Sequence, residues 1–485
     1  MLNIHFDIQK NVTLLGVALA LSSASFVSVS VQSVFPYIAG SLAISQSNAV
    51  WTLTFLVVHW ALGILVMPHI ADRIGLSKTF KTAIAILIVG SLISGATNSL
   101  FIMLTSRGLA GFGAGLLVPL SQIYFMSNSS NHHRTILLWS LAMLIPFFFG
   151  PVIAGYFAET LNYRMIFYVS TLVFALSYFM VGDRLPSTQK MFNAQFDWSG
   201  LGAIYIFLLS STIFMSQGER NGWLSSRFIL ICLLVSLVSL VLFVFIEKKS
   251  KNPLIPLDLF TLQSFTVGLM SLSVLWSLYM AWSTLVPLFS ATVLGYNGFY
   301  SGLILVPCGV GYIFGVVIYH NTSKYFHHTY LAFGSLLFMF LFLLTIHASP
   351  MDSVGAFLSP MFFLGLSVSF MFVPFNLLIF SDVHVENRSI ASAASNFIRV
   401  YLSSVGVELL HITWQRYSSV LYASQNEVNY HALSRSELLS QFSINRLTSM
   451  SWSVNVCAAI SLFVCFLVLV LLLINHLIKI PKNIN

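Results

Sequence analysis

Charged residues are scarce in this chain. Only 7% of its 485 residues are Asp, Glu, Lys or Arg, whereas an average soluble protein has about 25%. With 57% hydrophobic residues, the chain cannot hide its apolar surface in a water-facing fold, and a single soluble core stops growing well below this length. The composition therefore excludes a soluble enzyme, a nucleic-acid-binding module and a disordered protein, and it indicates a multi-pass membrane protein.

The motifs of common enzymes are also missing. The four cysteines fall within apolar runs and form no CxxC pair, so we expect them to pack as small apolar residues. The sequence contains no GxxxxGK phosphate loop, no HExxH motif and no dinucleotide-binding glycine pattern. It therefore predicts no catalytic, cofactor or metal site, and ATP-driven transport within this chain is not expected.

Long apolar runs fill most of the sequence. Each has the length needed to cross a hydrocarbon core of about 30 Å, and each is expected to be helical because backbone polar groups in lipid need partners within their own segment. The fourteen runs cover approximately residues 11–35, 49–68, 80–97, 101–126, 135–158, 166–182, 199–217, 228–246, 266–290, 301–319, 330–347, 356–380, 390–414 and 450–476.

The basic residues predict the orientation. Cytoplasmic loops of membrane proteins carry an excess of Lys and Arg. With the N-terminus inside, all ten lysines and four arginines face the cytoplasm, and only six arginines face outward. This pattern favours fourteen spans with both termini cytoplasmic. Two polar stretches remain, a cytoplasmic link at 183–198 and a long outer loop at 415–449.

Three motifs occur in order in the first half. The segment 68–78 after the second run contains Asp72, Arg73 and Gly75, the fourth run contains 107–115 with a leading arginine, and the fifth contains 150–155, Gly-Pro-Val-Ile-Ala-Gly. They resemble the cytoplasmic loop motif, the buried-arginine motif and the antiporter motif of the major facilitator superfamily. Pro68, Ala110 and Ala154 stand where these motifs usually have other residues.

Later segments narrow the resemblance. Residues 217–223, 252–260 and 396–399 make the chain similar to the fourteen-span drug:proton antiporter family, of the EmrB/QacA type. The resemblance implies an all-α major facilitator fold of 6+2+6 helices: a six-helix bundle at 1–182, a link with two inserted spans at 183–265, and a second bundle at 266–485 that includes the 415–449 loop on the periplasmic side.

The same resemblance implies a function. The chain would be a proton-coupled multidrug exporter of the bacterial inner membrane that works by alternating access around a central cavity. Its partners would be a small-molecule substrate, protons and the lipid bilayer, with a periplasmic adaptor protein and an outer-membrane channel in a tripartite assembly, and no nucleic acid. Two alternatives stay open: dedicated export of an anionic metabolite such as a siderophore, and a transport-inactive receptor or scaffold.

Three charged residues fall well within the runs. Insertion of a charge into lipid costs roughly 2.5–3.5 kcal/mol, so Arg107, Arg399 and Glu408 are candidates for proton coupling or cavity lining. Each also has a structural interpretation: Arg107 as a packing anchor, Arg399 as a group that caps backbone carbonyls, and Glu408, with His411 one turn on, as an interfacial pair that reaches water. His59, near the middle of the second run, is either a relay or ligand contact or a hydrogen-bonded packing residue.

Proline and glycine predict a bend in the fifth run. Proline removes a backbone donor and clashes with the preceding turn, so Pro146, Gly150, Pro151 and Gly155 are candidates for a hinge or seal. The alternative is that they merely shape the packing.

A promiscuous cavity combines aromatic side chains with a few polar groups. The candidate polar liners are Gln32, Gln122, Asn376 and Asn396.

One departure from the family is clear. Members commonly carry an acid in the first span, whereas residues 26–33 here read Phe-Val-Ser-Val-Ser-Val-Gln-Ser. Either another group carries the proton, or the coupling differs. The absence of this acid together with Arg399 suits an anionic cargo better than a cationic one.

Overall fold

The protein is described by a computed structural model that covers residues 2–127, 132–182, 184–185, 196–322, 328–384, 387–425 and 435–479. These residues form fourteen helices of at least 17 residues, together with short helical turns. The long helices are α1 (Leu2–Ser33), α2 (Trp51–Ile74), α3 (Leu76–Ala96), α4 (Leu100–Ser127), α5 (His132–Thr160), α6 (Met165–Val181), α7 (Trp198–Gly218), α8 (Arg227–Lys249), α9 (Gln263–Thr292), α10 (Val306–Thr322), α11 (His328–Thr345), α12 (Leu358–Phe380), α13 (Arg388–Gln425) and α14 (Arg435–Lys479).

Each predicted apolar run corresponds to one of these helices. By length and composition, eleven helical segments in the described part of the chain are able to cross a membrane, and α6 and α11 contribute shorter apolar segments. The helix outside both groups is α13, which is too polar because it carries Arg388, Arg399, Glu408 and Arg416 along with many serines. An all-helical membrane protein is therefore confirmed, and α13 is its most unusual helix.

The predicted loop at 415–449 is wrong in its extent. Residues up to 425 continue α13, and residues from 435 onward already belong to α14. Ser, Gln and Asn made this stretch look like a loop, but such residues are compatible with a helix whose hydrogen bonds are already propagating. Residues 426–434 lie outside the described part of the chain.

The helices pack in two groups that meet along two seams. Helix α1 packs on α5 and α6, and α4 packs on α2 and α3; in the second half α9 packs on α12 and α13, and α12 packs on α10 and α11. Between the halves, α5 contacts the short helix Gly298–Leu303 and α10, while α2 contacts α13. Helices α7 and α8 pack on each other, and α7 also contacts both α2 and α13. Helices α7 and α8, which correspond to the two predicted inserted spans and are called the inserted pair below, therefore lie at the α2–α13 seam.

Glycine allows the tightest of these contacts. A Cβ atom added at Gly115 of α4 would overlap the carbonyl of Trp60, and one at Gly111 would overlap the carbonyl of Leu56, both in α2. Such close backbone approach is the usual packing mode of small residues between membrane helices. The glycines that follow Arg107 thus hold α4 against α2.

Candidate functional site

A buried polar cluster joins the two halves of the protein. The Ser392 hydroxyl and the Asn396 amide of α13 both donate to Oε1 of Gln122 in α4, at 2.7 and 3.0 Å. Arg399, one turn further along α13, donates to Oδ1 of Asn396. Three of the predicted residues, Gln122, Asn396 and Arg399, therefore belong to one network that links residues 270 or more positions apart.

Arg399 is enclosed by aromatic rings rather than by acids. It is only 2% exposed, and its guanidinium lies 5.0 Å from the ring centre of Phe372 and 5.8 Å from that of Trp276. In the described part of the chain no carboxylate approaches it within ion-pair distance, and its Nε has no hydrogen-bond partner. A positive charge with a free donor in an aromatic enclosure is suited to an anionic or π-rich group.

Arg107 has a similar environment in the first half. It is completely buried, its Nη2 donates to the Val27 carbonyl of α1 at a long 3.4 Å, and its guanidinium lies 5.7 Å from the Phe167 ring centre. Its Nε and Nη1 have no partner among the described residues. Arg107 is thus packed as an anchor between α1, α4 and α6, and it still retains unused donors.

His59 is hydrogen-bonded at both ring nitrogens. Its Nδ1 lies 2.8 Å from the Phe55 carbonyl, so Nδ1 carries the proton and Nε2 accepts a long hydrogen bond of 3.4 Å from the Tyr205 hydroxyl of α7. The ring also packs against Gly108, the residue after Arg107. His59 therefore connects the arginine-bearing helix α4 with the inserted helix α7.

Glu408 faces the inserted helix, not the cluster around Arg399. It lines a small crevice between α13 and α7 with Ser211, Thr212, Met215, Tyr401, Ser404 and Val405. No hydrogen bond joins it to His411, which instead lies 3.1 Å from the Gln415 amide and stacks on Trp414. Glu408 is half-buried and has no hydrogen-bond donor among the described residues.

The other two predicted polar liners lie apart from the cluster. Gln32 of α1 accepts a hydrogen bond from Thr284 of α9 at 3.3 Å, which links the halves at a second point. Asn376 donates to the Phe372 carbonyl of its own helix at 2.6 Å. An open hollow of about 430 Å³ between α10 and α12 is lined almost entirely by apolar side chains and contains none of the predicted residues.

Pro146 of α5 frees a backbone carbonyl that a side chain of α1 then binds. Because Pro146 has no N–H, the Ala142 carbonyl one turn earlier loses its helical donor, and the Ser22 hydroxyl of α1 donates to it at 2.7 Å. The Ser33 hydroxyl of α1 donates a further hydrogen bond to the Pro151 carbonyl at 3.3 Å, although that carbonyl is not one that a proline frees. Gly150 packs against Ser30 and Phe26 of α1. Helix α5 is continuous through both prolines and is fastened to α1.

The opposite face of α5 forms the seam with the second half. A Cβ atom at Gly155 would lie 2.5 Å from the Gly298 carbonyl oxygen, and one at Gly302 would lie 2.7 Å from backbone atoms of Pro151 and Val152. At the end of this seam Glu159 accepts hydrogen bonds from the Asn297 amide and the Phe299 N–H. Burial and the neighbouring Glu159 carboxylate raise the pKa of Tyr37 beside it.

The loop motif lies at the turn between α2 and α3. Gly75 has φ +86°, a left-handed conformation that favours glycine, and its N–H caps the Ala71 carbonyl at 2.8 Å. Arg73 lies 5.9 Å from the Phe196 ring centre, just before α7. Asp72 is half-buried and makes no ion pair among the described residues.

Several residues of these contacts were not predictable from the sequence. Ser392 was detectable as the residue four positions before Asn396 on the same helix face, but Tyr205 and Ser22 have no distinguishing pattern. Another missed group is Glu219, just after α7, whose carboxylate accepts from Arg416 at 2.8 Å and Trp223 at 2.6 Å. Although burial opposes ionisation, these two donors and the charge of Arg416 hold the pKa of Glu219 below its usual range.

Comparison with known proteins gives consistent results. Residues 17–407 match the family profile of the Major Facilitator Superfamily. The Multidrug export protein EmrB of Escherichia coli (strain K12) is 27% identical over 418 residues, which cover 84% of this chain and 82% of that protein. The Fatty acid resistance protein FarB of Neisseria gonorrhoeae is 28% identical over 416 residues, with 84% and 82% covered.

Solved structures show the same fold. A POT family transporter in complex with 5-aminolevulinic acid superposes with a TM-score of 0.63 at 13% identity and covers 94% of this chain and 95% of that chain. A peptide transporter POT in complex with sulfate gives 0.60 at 11% identity, with 94% of both chains covered. At such low identity the likeness concerns the fold alone.

Proposed function

The chain belongs to the major facilitator superfamily, as its motifs predicted, and on that premise we propose that it is a proton-coupled secondary active exporter of the multidrug efflux type. It is a multi-pass membrane transport protein with a small-molecule substrate. We further propose that the chain crosses the bacterial inner membrane fourteen times, with both termini cytoplasmic and the spans divided 6+2+6. The relationship to export proteins over most of the chain favours transport over a receptor or scaffold.

One observation carries this proposal: helix α13 bears both a buried cation and an uncompensated acid. Its Asn396 and Arg399 form the network with Gln122 of the first half, and its Glu408 lies against α7. Intramembrane ionisable residues usually serve transport because their burial is costly. In this proposal substrate binds where Gln122, Asn396 and Arg399 meet, and Glu408 carries the proton that the first span has no acid to carry.

Alternating access would use the two seams. In the described form the halves touch at Gln122–Asn396 and again at Glu159–Asn297, and Arg399 is closed from solvent. We assign this form to a closed stage of the cycle. Opening would separate one seam at a time, with the proline-containing helix α5 as the moving element and the Asp72–Gly75 turn guiding α2 against α3.

The test is proton movement in everted membrane vesicles that contain the purified protein. We expect addition of a transported amphipathic compound to release protons from the acidic lumen, and vesicles without the protein to show no release. Absence of substrate-dependent proton movement with any compound that the protein demonstrably exports would overturn the coupling.

A second candidate substrate class is favoured by the arginines. Arg107 and Arg399 keep unpartnered N–H donors, and no acid of the described residues lies within ion-pair distance of either arginine. This suits an anionic amphiphile, and a relative is named for fatty acid resistance. A growth panel of matched anionic and cationic amphiphiles, combined with metabolite profiling of a deletion strain, separates this candidate from cationic drug export. Protection restricted to cationic compounds would exclude it.

Assembly with a periplasmic adaptor protein and an outer-membrane channel remains a proposal from the family. The polar ends of α13 and α14 beyond residue 415 offer the surface for such a contact. Co-purification of an adaptor with the parent, and its loss when residues 419–446 are replaced by a short linker, would support this assembly.

A further inference from the structure

The most unusual charge arrangement outside the candidate site lies where the inserted helices begin and end. Asp197 precedes the first residue of α7, and Glu247 lies in the last turn of α8. Asp197 is 9% exposed and Glu247 is 3% exposed. Two acids are thus almost fully buried side by side at the root of the inserted pair.

Each carboxylate has one satisfied oxygen and one free oxygen. Oδ1 of Asp197 accepts from the Gly200 N–H at 2.8 Å and from the Ser199 hydroxyl at 2.7 Å, and Oε2 of Glu247 accepts from the Ile255 N–H at 3.2 Å. Oδ2 of Asp197 and Oε1 of Glu247 have no hydrogen-bond partner among the described residues. Leaving a buried charged acceptor without a partner is costly.

The two free oxygens, Oδ2 of Asp197 and Oε1 of Glu247, both lie next to Gly200. A Cβ atom added at Gly200 would lie 2.9 Å from Oδ2 of Asp197 and 2.9 Å from Oε1 of Glu247. The oxygens therefore lie within twice that distance of each other. Two buried carboxylates at this separation disfavour each other's ionisation, and a bound cation or proton relieves that cost.

Charged neighbours do not supply that compensation. From α2, His69 and Arg73 face this region through Phe196, whose ring centre lies 5.2 Å from that of His69 and 5.9 Å from the Arg73 guanidinium. Lys248, Lys249 and Lys251 follow Glu247 in sequence, and Lys249 lies over Phe245. In the described part of the chain no basic nitrogen lies within ion-pair distance of either carboxylate.

The space between the oxygens favours a proton over a metal ion. Neither free oxygen has surface that a water molecule reaches, so a metal ion bound here would keep no hydration water, and no group of three or more His, Cys, Asp or Glu residues with metal-binding geometry occurs among the described residues. Ca²⁺ takes six to eight oxygen ligands, and Mg²⁺ demands an octahedral set. A proton needs no added volume.

We propose that Asp197 and Glu247 jointly bind one proton, held between Glu247 Oε1 and Asp197 Oδ2 as a carboxyl–carboxylate hydrogen bond. Glu247 carries the O–H and Asp197 accepts it, because the α7 N-terminus and the donors Gly200 and Ser199 favour the charge on Asp197. The pair then bears a single negative charge. It is a proton site distinct from Glu408, and it lies beside the Asp72–Gly75 turn.

The pKa of Asp197 agrees with this assignment. Burial alone would raise it, but the hydrogen bonds that Gly200 and Ser199 donate to Oδ1 outweigh burial and lower the pKa of Asp197 below its usual range. Because the two acids titrate as a unit, the proton is a property of the pair.

The test is infrared difference spectroscopy of the full-length protein in lipid nanodiscs, in a Glu408→Gln background so that α13 adds no carboxyl signal. We expect a protonated-carboxyl band at neutral pH that disappears on alkaline titration. Glu247→Gln and Asp197→Asn should each remove this band, because the new amide donates the missing hydrogen bond. Glu219→Gln, which alters an ionised carboxylate, is the matched control and should leave it unchanged.

Melting temperature gives a second readout that does not depend on transport. The melting temperature of the background protein should fall as pH rises and the shared proton is lost, whereas that of Glu247→Gln should not change over the same range. Gly200→Ala, which inserts a methyl group between the oxygens, should weaken the band even if an isosteric variant fails to fold. A missing band, a band that survives both isosteric changes, or stabilisation by Na⁺, Mg²⁺ or Ca²⁺ that is lost in Glu247→Gln would overturn the proposal.

Discussion

Arg399 and Glu408 lie on the same helix, α13, but face opposite sides of it. Nine residues separate them, which is two and a half turns of an α-helix. Arg399 faces Trp276, Phe372 and, through Asn396, Gln122, whereas Glu408 faces Ser211 and Thr212 of α7. Glu408 and Arg399 therefore do not neutralise each other. Helix α13 separates a candidate substrate site around Arg399 from a candidate proton site at Glu408.

Glu408→Gln should uncouple export from proton movement. The amide has the shape of the acid but takes up no proton, so we expect normal abundance and melting temperature with loss of substrate-dependent proton release from everted vesicles. Ser404→Ala, one turn away in the same crevice, is the control and should transport normally. Normal proton release by Glu408→Gln would remove Glu408 from the coupling path.

Arg399→Met should raise stability while abolishing export. Removing a buried charge that has no ion partner also removes its desolvation cost, which is on the order of several kcal/mol per ion and exceeds cation–π contacts of about 1–2 kcal/mol. The measurements are the melting temperature in detergent and efflux of the identified substrate. The same result is expected for Arg107→Met.

The matched control is Arg164→Met, which removes a half-buried arginine that hydrogen-bonds to Asn98 and the Thr97 carbonyl. It should leave efflux unchanged. If Arg399→Met lowers the melting temperature and export together, the arginine is a packing residue, as its alternative interpretation holds.

Gly155→Ala should part the seam between α5 and the second half. The added Cβ would meet the Gly298 backbone, and backbone atoms cannot yield as a flexible side chain does. Spin labels at Leu161 and Tyr300, which are 63% and 48% exposed, should report a longer distance. Gly202→Ala is the control because its Cβ meets nothing within 4 Å; it should stabilise α7 by about 1 kcal/mol and leave the distance unchanged. An unchanged distance in Gly155→Ala would argue against this seam as the moving one.

Glu219→Gln should loosen the contact between the end of α7 and α13 only slightly. The partners Arg416 and Glu219 are 55% and 34% exposed, so the ion pair contributes about 0–1 kcal/mol. Because the pKa of Glu219 is lowered in the folded protein, its stabilisation is present above the unfolded pKa and is lost as pH falls through the folded pKa. Melting temperature against pH should therefore fall less steeply in acid for Glu219→Gln than for the parent. Equal slopes would contradict the assignment.

The helices were predictable from sequence because apolar runs in lipid have no alternative to helix formation. Each of the fourteen runs corresponds to a helix, and the family motifs were recognisable. The ends of α13 and α14 were not predictable, since residues 415–425 and 435–449 are polar and helix formation there continues from the preceding or following turns.

The residues of the candidate site were predictable from the sequence, but which of them lie next to each other was not. Gln122, Asn396 and Arg399 could be selected as polar residues within apolar runs, but only the packing of α4 on α13 brings Gln122 to Asn396. The face of α13 that carries Glu408 could be computed from the helical period, yet the sequence does not say that α7 lies on that side. The Ser22–Ala142 hydrogen bond likewise depends on a pairing of α1 with α5.

The polarity of α13 has a consequence for how the protein is made. Its Arg399 and Glu408 would make insertion as an isolated segment unfavourable, whereas the finished helix is lined by Ser277 and Trp276 of α9 and by Ser211 of α7. Those helices leave the ribosome first. During synthesis α13 therefore enters the bilayer along a surface that α7 and α9 have already formed. A substitution in α7 or α9 that damages this surface should therefore prevent the membrane integration of α13.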